Sequence, residues 1–261
     1  MCGIFGFALA EPVKMAKVFR ILRKLEVHQY PNEKRSVGGY GAGIAVLGRN
    51  MHVMCEKVGK VGESPAKSLS EIFKVDEARI LVGHVRMPSP EFMETAEFRE
   101  TAQPYVASCR SDLTVVSAHN GKVENYVEIR KSLSEAHFLE SEKRGLIDSE
   151  IIPHLFEETL TQKNEAAKAL ERLFSLLQGS STISLLQIQR EKLLLHLVHK
   201  GKTRGVTVWT NGENEVIFCS RKEPLSGEFD DILVHGKFKE KYSIGCQEEA
   251  VLKLTVPLAV R

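Results

Sequence analysis

Cys2-Gly3-Ile4-Phe5-Gly6 stands at the head of the sequence, and residues 4–8 continue it as an apolar run that reads as a buried strand. Initiator methionine is usually removed before a small residue, so the mature chain is expected to begin at Cys2. A terminal cysteine carries a thiol and a free amine on one residue. That amine titrates near ~7.7–8.0, so its neutral form can act as general base for the thiol without a separate histidine. The two glycines suit a chain end folded tightly beside a substrate, and the strand would hold the nucleophile rigidly. Taken alone, the stretch also allows the plainer reading that position 2 is simply small.

Outward from this strand, Met15, Val18, Phe19, Leu22 and Leu25 recur at helical spacing. Apolar runs at 44–47, 79–83 and 113–118 read as further strands. Helical periodicity returns after Asn125 (Tyr126, Ile129, Leu133), at Ile151 and Leu155, and at Ala166, Leu170, Leu173 and Leu177. The last third is strand-like over 182–189, 192–199, 205–209, 215–219 and 250–256, with Asn211-Gly212 as a hairpin turn. Strands at both ends with helices between them predict stacked α and β layers. No repeat, low-complexity stretch or flexible linker divides residues 1–261, which read as a single domain.

Three further polar motifs sit at the ends of these elements, a usual way of building a rigid site. They are Gly83-His84-Val85-Arg86, His119-Asn120-Gly121 and Asp148-Ser149-Glu150. Singly, each has a plainer reading: a solvated arginine, a hairpin turn, a helix N-cap. In this order and spacing after Cys2-Gly3-Ile4-Phe5-Gly6, they resemble the class II glutamine amidotransferases. The likeness is to the glutaminase domains of glucosamine-6-phosphate synthase and amidophosphoribosyltransferase, and segments 22–30, 56–61, 103–105 and 242–256 extend it over nearly the whole chain.

The resemblance implies an α+β fold, the four-layer αββα sandwich of N-terminal-nucleophile hydrolases. It also implies roles. Cys2 would attack the side-chain amide of L-glutamine, and Asn120 (side chain) and Gly121 (backbone N–H) would form the oxyanion hole. Arg86 would clamp the substrate's α-carboxylate, Asp148 would pair with its α-ammonium, and Ser89 would keep a hydroxyl where the family has threonine. Two segments depart from the family pattern. The family's Arg-Gly-x-Asp-Ser-Ala-Gly is reduced here to Tyr40-Gly41-Ala42-Gly43 after a short insertion following His28-Gln29-Tyr30, and Met87-Pro88-Ser89-Pro90 replaces an aromatic-containing loop.

Composition narrows the classes further. Lys+Arg of 36 against Asp+Glu of 34 leaves a formal charge of +2, unlike the basic excess of a dedicated nucleic-acid binder. No apolar run approaches the ~20 residues of a membrane span, and the opening lacks a signal peptide's charged n-region, so a cytoplasmic protein is expected. No nucleotide-binding glycine loop suggests a cofactor, and the histidines show no paired ligand spacing, so no metal is expected. Cys55, Cys109, Cys219 and Cys246 read as buried structural thiols, and 140–144 as a solvated mixed-charge loop. The expectation is a stand-alone glutaminase subunit passing ammonia to a separate synthase chain. An amidohydrolase acting on another γ-glutamyl amide and a non-catalytic glutamine-binding regulatory subunit are the alternatives.

Overall fold

The computed structural model describes residues 2–110, 112–190, 192–212 and 214–259. Two antiparallel sheets stack face to face with helices on both outer surfaces, the αββα arrangement expected. The first sheet has seven strands, in the order β11 (Lys239–Ser243), β9 (Thr207–Thr210), β10 (Val216–Cys219), β1 (Gly3–Lys14), β4 (Glu77–Val85), β2 (Gly41–Leu47) and β3 (Val53–Gly59). The second has five: β12 (Glu249–Pro257), β8 (Lys192–Lys202), β7 (Ser181–Gln189), β6 (Leu113–Gly121) and β5 (Tyr105–Ala107). Helices α1 (Met15–Val27), α2 (Pro65–Ile72) and α6 (Asp230–His235) belong to the first sheet's half of the chain, and α3 (Tyr126–Ser132), α4 (Ile151–Lys163) and α5 (Ala166–Leu176) to the second's.

Alternation of side chains along each strand produces the layers. In β1, Phe5, Phe7 and Leu9 face Val18, Leu22 and Leu25 of α1, whereas Ile4 and Ala8 face the opposite way into the layer between the sheets. In β6, Val115 joins α4 and α5 in the outer core, while Val116 and Ala118 face the first sheet. Residues of even number at the start of β1 and at the end of β6 therefore share the inter-sheet layer. That parity carries Cys2 and Asn120 onto facing surfaces.

Local chemistry sets the boundaries. Ser64 accepts the Lys67 backbone N–H at 3.1 Å with Pro65 following it, a favourable start for α2. Glu26, buried in α1, accepts the Ala66 N–H at 3.2 Å and so joins the two helices. The expected hairpin forms between β9 and β10, with Thr210 opposite Val216 and Gly212 at φ +83°, so its loop is longer than the two-residue turn that Asn211-Gly212 suggests.

Two expectations are corrected. Of the four cysteines read as buried, only Cys219 is buried; Cys55, Cys109 and Cys246 are half-buried, and the last two lie outside strands. The 140–144 run is not merely solvated. Glu140 pairs with the buried Lys57, Ser141 is fully buried, and the backbone N–H groups of both donate to Glu150 at 2.7 and 2.9 Å. Burial pushes the Glu150 carboxyl up to about 7.

Gly6 lies opposite Phe218, whose ring occupies the space a Cβ would need, with the Leu81 carbonyl on its other side. Gly6→Ala is therefore expected to destabilise the domain by about 1–3 kcal/mol, the usual cost of overpacking, measured by urea denaturation.

Candidate active site

Antiparallel pairing holds the beginning of β1 on both flanks. On one side Gly3 lies opposite Val85, so Arg86 follows at the end of β4 beside Cys2. On the other, Phe5 lies opposite Cys219, and the Ile4 N–H donates to Ser220 Oγ at 3.1 Å, which brings Arg221 alongside the strand's start. The Cys2 sulfur rests against the Met87 backbone, 3.3 Å from its nitrogen and 3.4 Å from its oxygen. Cys2 keeps partial exposure.

Arg86 is buried, and its guanidinium is fixed by threonines of the following turns. One terminal nitrogen donates to Thr101 Oγ1 at 2.6 Å and to the Thr95 carbonyl at 3.3 Å; the other donates to Thr95 Oγ1 at 2.9 Å. Such a fork is preorganised for a planar anion. Ser89 is half-buried at the start of the turn Pro90–Thr95 and accepts the Phe92 N–H through its carbonyl at 3.0 Å. Glu91 in that turn pairs with Lys122 at 2.7 Å, tying the 87–95 segment to the end of β6.

Asn120 is fully buried at that end, and neither Oδ1 nor Nδ2 has a hydrogen-bond partner among the described residues. An unpaired buried amide costs roughly 1–3 kcal/mol, so a site that keeps one invites a ligand. Gly121 follows at φ +137°, where a Cβ would also meet the Ser180 carbonyl; no other residue fits. Asp148 is buried as well. It does not cap α4: its Oδ2 accepts the Val123 N–H at 2.8 Å, just beyond Gly121, and Ser149 Oγ lies 3.3 Å from Oδ1. Burial raises its carboxyl to about 6.

His84 and His119 lie within the motifs, and His119 serves the frame. Both are buried, and desolvation pushes both down to about 3, so they are neutral at pH 7. His119 Nδ1 lies 2.9 Å from Ser149 Oγ and Nε2 3.2 Å from Ser181 Oγ. Gln103 grips the same residue, accepting the His119 N–H at 2.7 Å and donating to its carbonyl at 3.1 Å. Through this hub, β6 and the Asp148 turn are held in one register.

Two residues that sequence reasoning missed complete the surroundings. Arg204 and Arg221 are both buried; Arg86 and Arg204 lie within electrostatic reach of the Cys2 sulfur. Glu33, inside the insertion, pairs with Arg221 and lies 3.6 Å from Arg204, and it accepts the Tyr30 N–H at 3.0 Å. The Tyr30 ring stacks under Arg221 at 3.8 Å. The insertion thus supplies the carboxylate that compensates a pair of buried cations, a relation between residues far apart in sequence that no local pattern carries.

The model of the glutamine amidotransferase domain matches residues 92–227. The chain belongs to the glutamine amidotransferase family. The match includes Asn120, Gly121 and Asp148 but begins after Cys2 and Arg86. Relatives extend the likeness. The glutamine–fructose-6-phosphate aminotransferase (isomerizing) of Helicobacter pylori is 27% identical over 235 residues, covering 90% of this chain and 34% of that protein. Its counterpart from Sulfolobus acidocaldarius is 29% identical over 234 residues, covering 86% and 31%. The amidotransferase chain here spans about a third of the length of the curated relatives it matches.

Two solved structures share the fold of this amidotransferase across 97% of its length. The glutamine phosphoribosylpyrophosphate amidotransferase of B. subtilis, complexed with ADP and GMP, superposes with a TM-score of 0.64 at 16% identity over 49% of that chain. A structure described as the allosteric regulatory enzyme of purine biosynthesis gives 0.65, also at 16% identity and over 48% of that chain. The αββα architecture expected from the motifs is therefore the observed one, and on the family match and these relatives the chain is a class II glutamine amidotransferase domain. None of the described helices is long and apolar enough to cross a membrane.

Glu33→Gln should leave the Arg204–Arg221 pair without its compensating charge. A loss of about 3 kcal/mol in denaturant-derived stability is expected, the lower end for a broken buried pair because Glu33 keeps a solvent-facing edge.

Proposed function

We propose that this domain hydrolyses L-glutamine to glutamate and ammonia through a thioester at Cys2, with the ammonia delivered to an acceptor site outside these residues, on a separate synthase subunit. The carrying observation is Asn120, whose buried carboxamide is unpaired at the end of β6, in the same inter-sheet layer that Cys2 enters from β1. Arg86 and Asp148 lie near enough to interact. They offer the two opposite charges needed to read both ends of an amino acid.

The mechanism follows from these groups. Once Met1 is removed, the free amine of Cys2 takes the thiol proton as sulfur attacks the δ-carbon of the substrate amide. The amide C=O pair moves onto oxygen, where the Asn120 Nδ2–H and Gly121 N–H stabilise the oxyanion. Donors preset around a developing charge are worth about 2.7–4 kcal/mol each. Collapse expels ammonia, which carries the proton returned by the amine and leaves a γ-glutamyl thioester. Water then attacks the thioester, glutamate departs, and the thiol is restored. Arg86 holds the α-carboxylate, Asp148 the α-ammonium, and Ser89 contributes a hydroxyl from the 87–95 segment. The chemistry asks for neither metal nor organic cofactor at this site. All five cysteines are unpaired, which suits a reducing cytoplasmic setting.

Glutamate release from glutamine by the full chain tests the reading. Wild type should turn over, Cys2→Ala should not, and Asn120→Ala should lower kcat by about 10²–10³-fold. Equal rates for Cys2→Ala and wild type would remove the nucleophile; stoichiometric glutamine binding with no turnover would favour a regulatory subunit.

The Asp148 carboxyl sits at about 6, so it is charged above that pH and neutral below it. The ammonium of glutamine needs the charged form. The value of kcat/KM should therefore fall as pH drops through about 6, and Asp148→Asn should give a low, flat profile over the same window.

A further inference from the structure

Away from the glutaminase site, on the outer face of the second sheet, four ligating side chains converge. Cys109 follows β5, His137 lies between α3 and the 140–144 turn, and His154 and Glu157 project from one face of α4 at i, i+3 spacing. We propose that Cys109, His137, His154 and Glu157 form a tetrahedral zinc-type site that staples these loops to α4.

The geometry carries the proposal. One ligand atom from each residue lies within 4.8 Å of every other. Cys109 Sγ is 3.6 Å from His154 Nδ1, the two Nδ1 atoms are 3.2 Å apart, and Glu157 Oε2 is 3.3 Å from His137 Nδ1 and 4.0 Å from His154 Nδ1. Bonds of about 2.3 Å to sulfur and 2.0–2.1 Å to nitrogen or oxygen at tetrahedral angles demand edges of about 3.5 Å for S–N and about 3.3 Å for N–N or N–O. Three of these four edges fit already, and the fourth needs a small rotation of the carboxylate.

Polar accounting points the same way. Glu157 is fully buried, and the Arg110 N–H at 2.9 Å satisfies Oε1 alone; Oε2 has no hydrogen-bond partner among the described residues. It faces two imidazole nitrogens and a thiol, none of which neutralises a buried carboxylate unless it is charged. A dication would. Coordination releases the Cys109 proton to solvent, so thiolate, carboxylate and Zn²⁺ sum to no net charge. Glu158 Oε2 accepts the Ser134 N–H at 2.8 Å and lies 3.2 Å from His137 Nε2, which has no hydrogen-bond partner among the described residues, so a small ring rotation would make Glu158 the outer carboxylate that commonly orients a metal-bound histidine. Three ligands are buried and Cys109 is half-exposed, which provides an entry path. With four protein ligands the site is closed, hence structural rather than catalytic.

Cobalt(II) titration of the chelator-stripped full chain, in a Cys2→Ser background that silences the nucleophile, tests this. Saturation at one ion per chain is expected, with the intense visible bands of tetrahedral cobalt, a thiolate-to-metal charge-transfer band, and bleaching by zinc. Cys109→Ser should abolish the charge-transfer band. If that variant does not fold, His137→Gln should weaken cobalt binding by more than tenfold. Absence of tetrahedral bands at saturating cobalt, a charge-transfer band that survives Cys109→Ser, or unaltered affinity in His137→Gln overturns the proposal.

Discussion

The layer between the two sheets has to be apolar along its length, and the molecule depends on how it handles the one end that is not. Ile4, Ala8, Val82, Val116, Ala118, Val208 and Phe218 fill the layer. At its end the same strands deliver Arg86 and Asn120, both buried, and the half-buried Cys2. Burying such groups costs several kcal/mol unless each finds a partner, and the frame supplies partners for nearly all of them. Thr95 and Thr101 hold Arg86, Val123 holds Asp148, and Glu33 faces Arg204 and Arg221. Asn120 keeps both ends of its amide open among the described residues, beside neighbours whose polar groups are mostly satisfied.

Much of this was legible from residue patterns. The apolar run 4–8 and the leucine-rich strands of the last third correspond to β1, β7 and β8, which bury both faces, and the helical spacing from Met15 to Leu25 corresponds to α1, which buries one. The four motifs were legible as polar residues at element ends, and the structure places Cys2, Arg86, Asn120 and Asp148 at the ends of β1, β4 and β6 and ahead of α4. What escaped was tertiary. Cys109 and Cys246 carry no local sign of standing in loops, and nothing in 140–144 marks Ser141 as buried, since its partner Glu150 arrives from the next turn. Glu33 is read as part of an insertion, and only the fold brings it to Arg221 from the opposite end of the chain.

The two histidines inside the motifs show how chemistry and support divide. His84 and His119 occupy the layer's polar end, yet burial keeps them uncharged, and the His119 ring lies within hydrogen-bond reach of Ser149 and Ser181. A positively charged imidazole there would raise the cost of the neighbouring Arg86. Neutral histidines instead add no charge to the local field beside Arg86 and Asp148.

The placement of β1 has a bearing on synthesis. Its neighbours are β4, some eighty residues downstream, and β10, which ends at Cys219. A chain emerging from the ribosome carries β1 through the synthesis of every element up to β9 before its second flank exists. Pairings this distant are slow to close, and an apolar strand without its partners is exposed to wrong ones. Cys2, just ahead of β1, is thus seated late, and a truncated product lacking β10 would carry it beside a strand with one open edge.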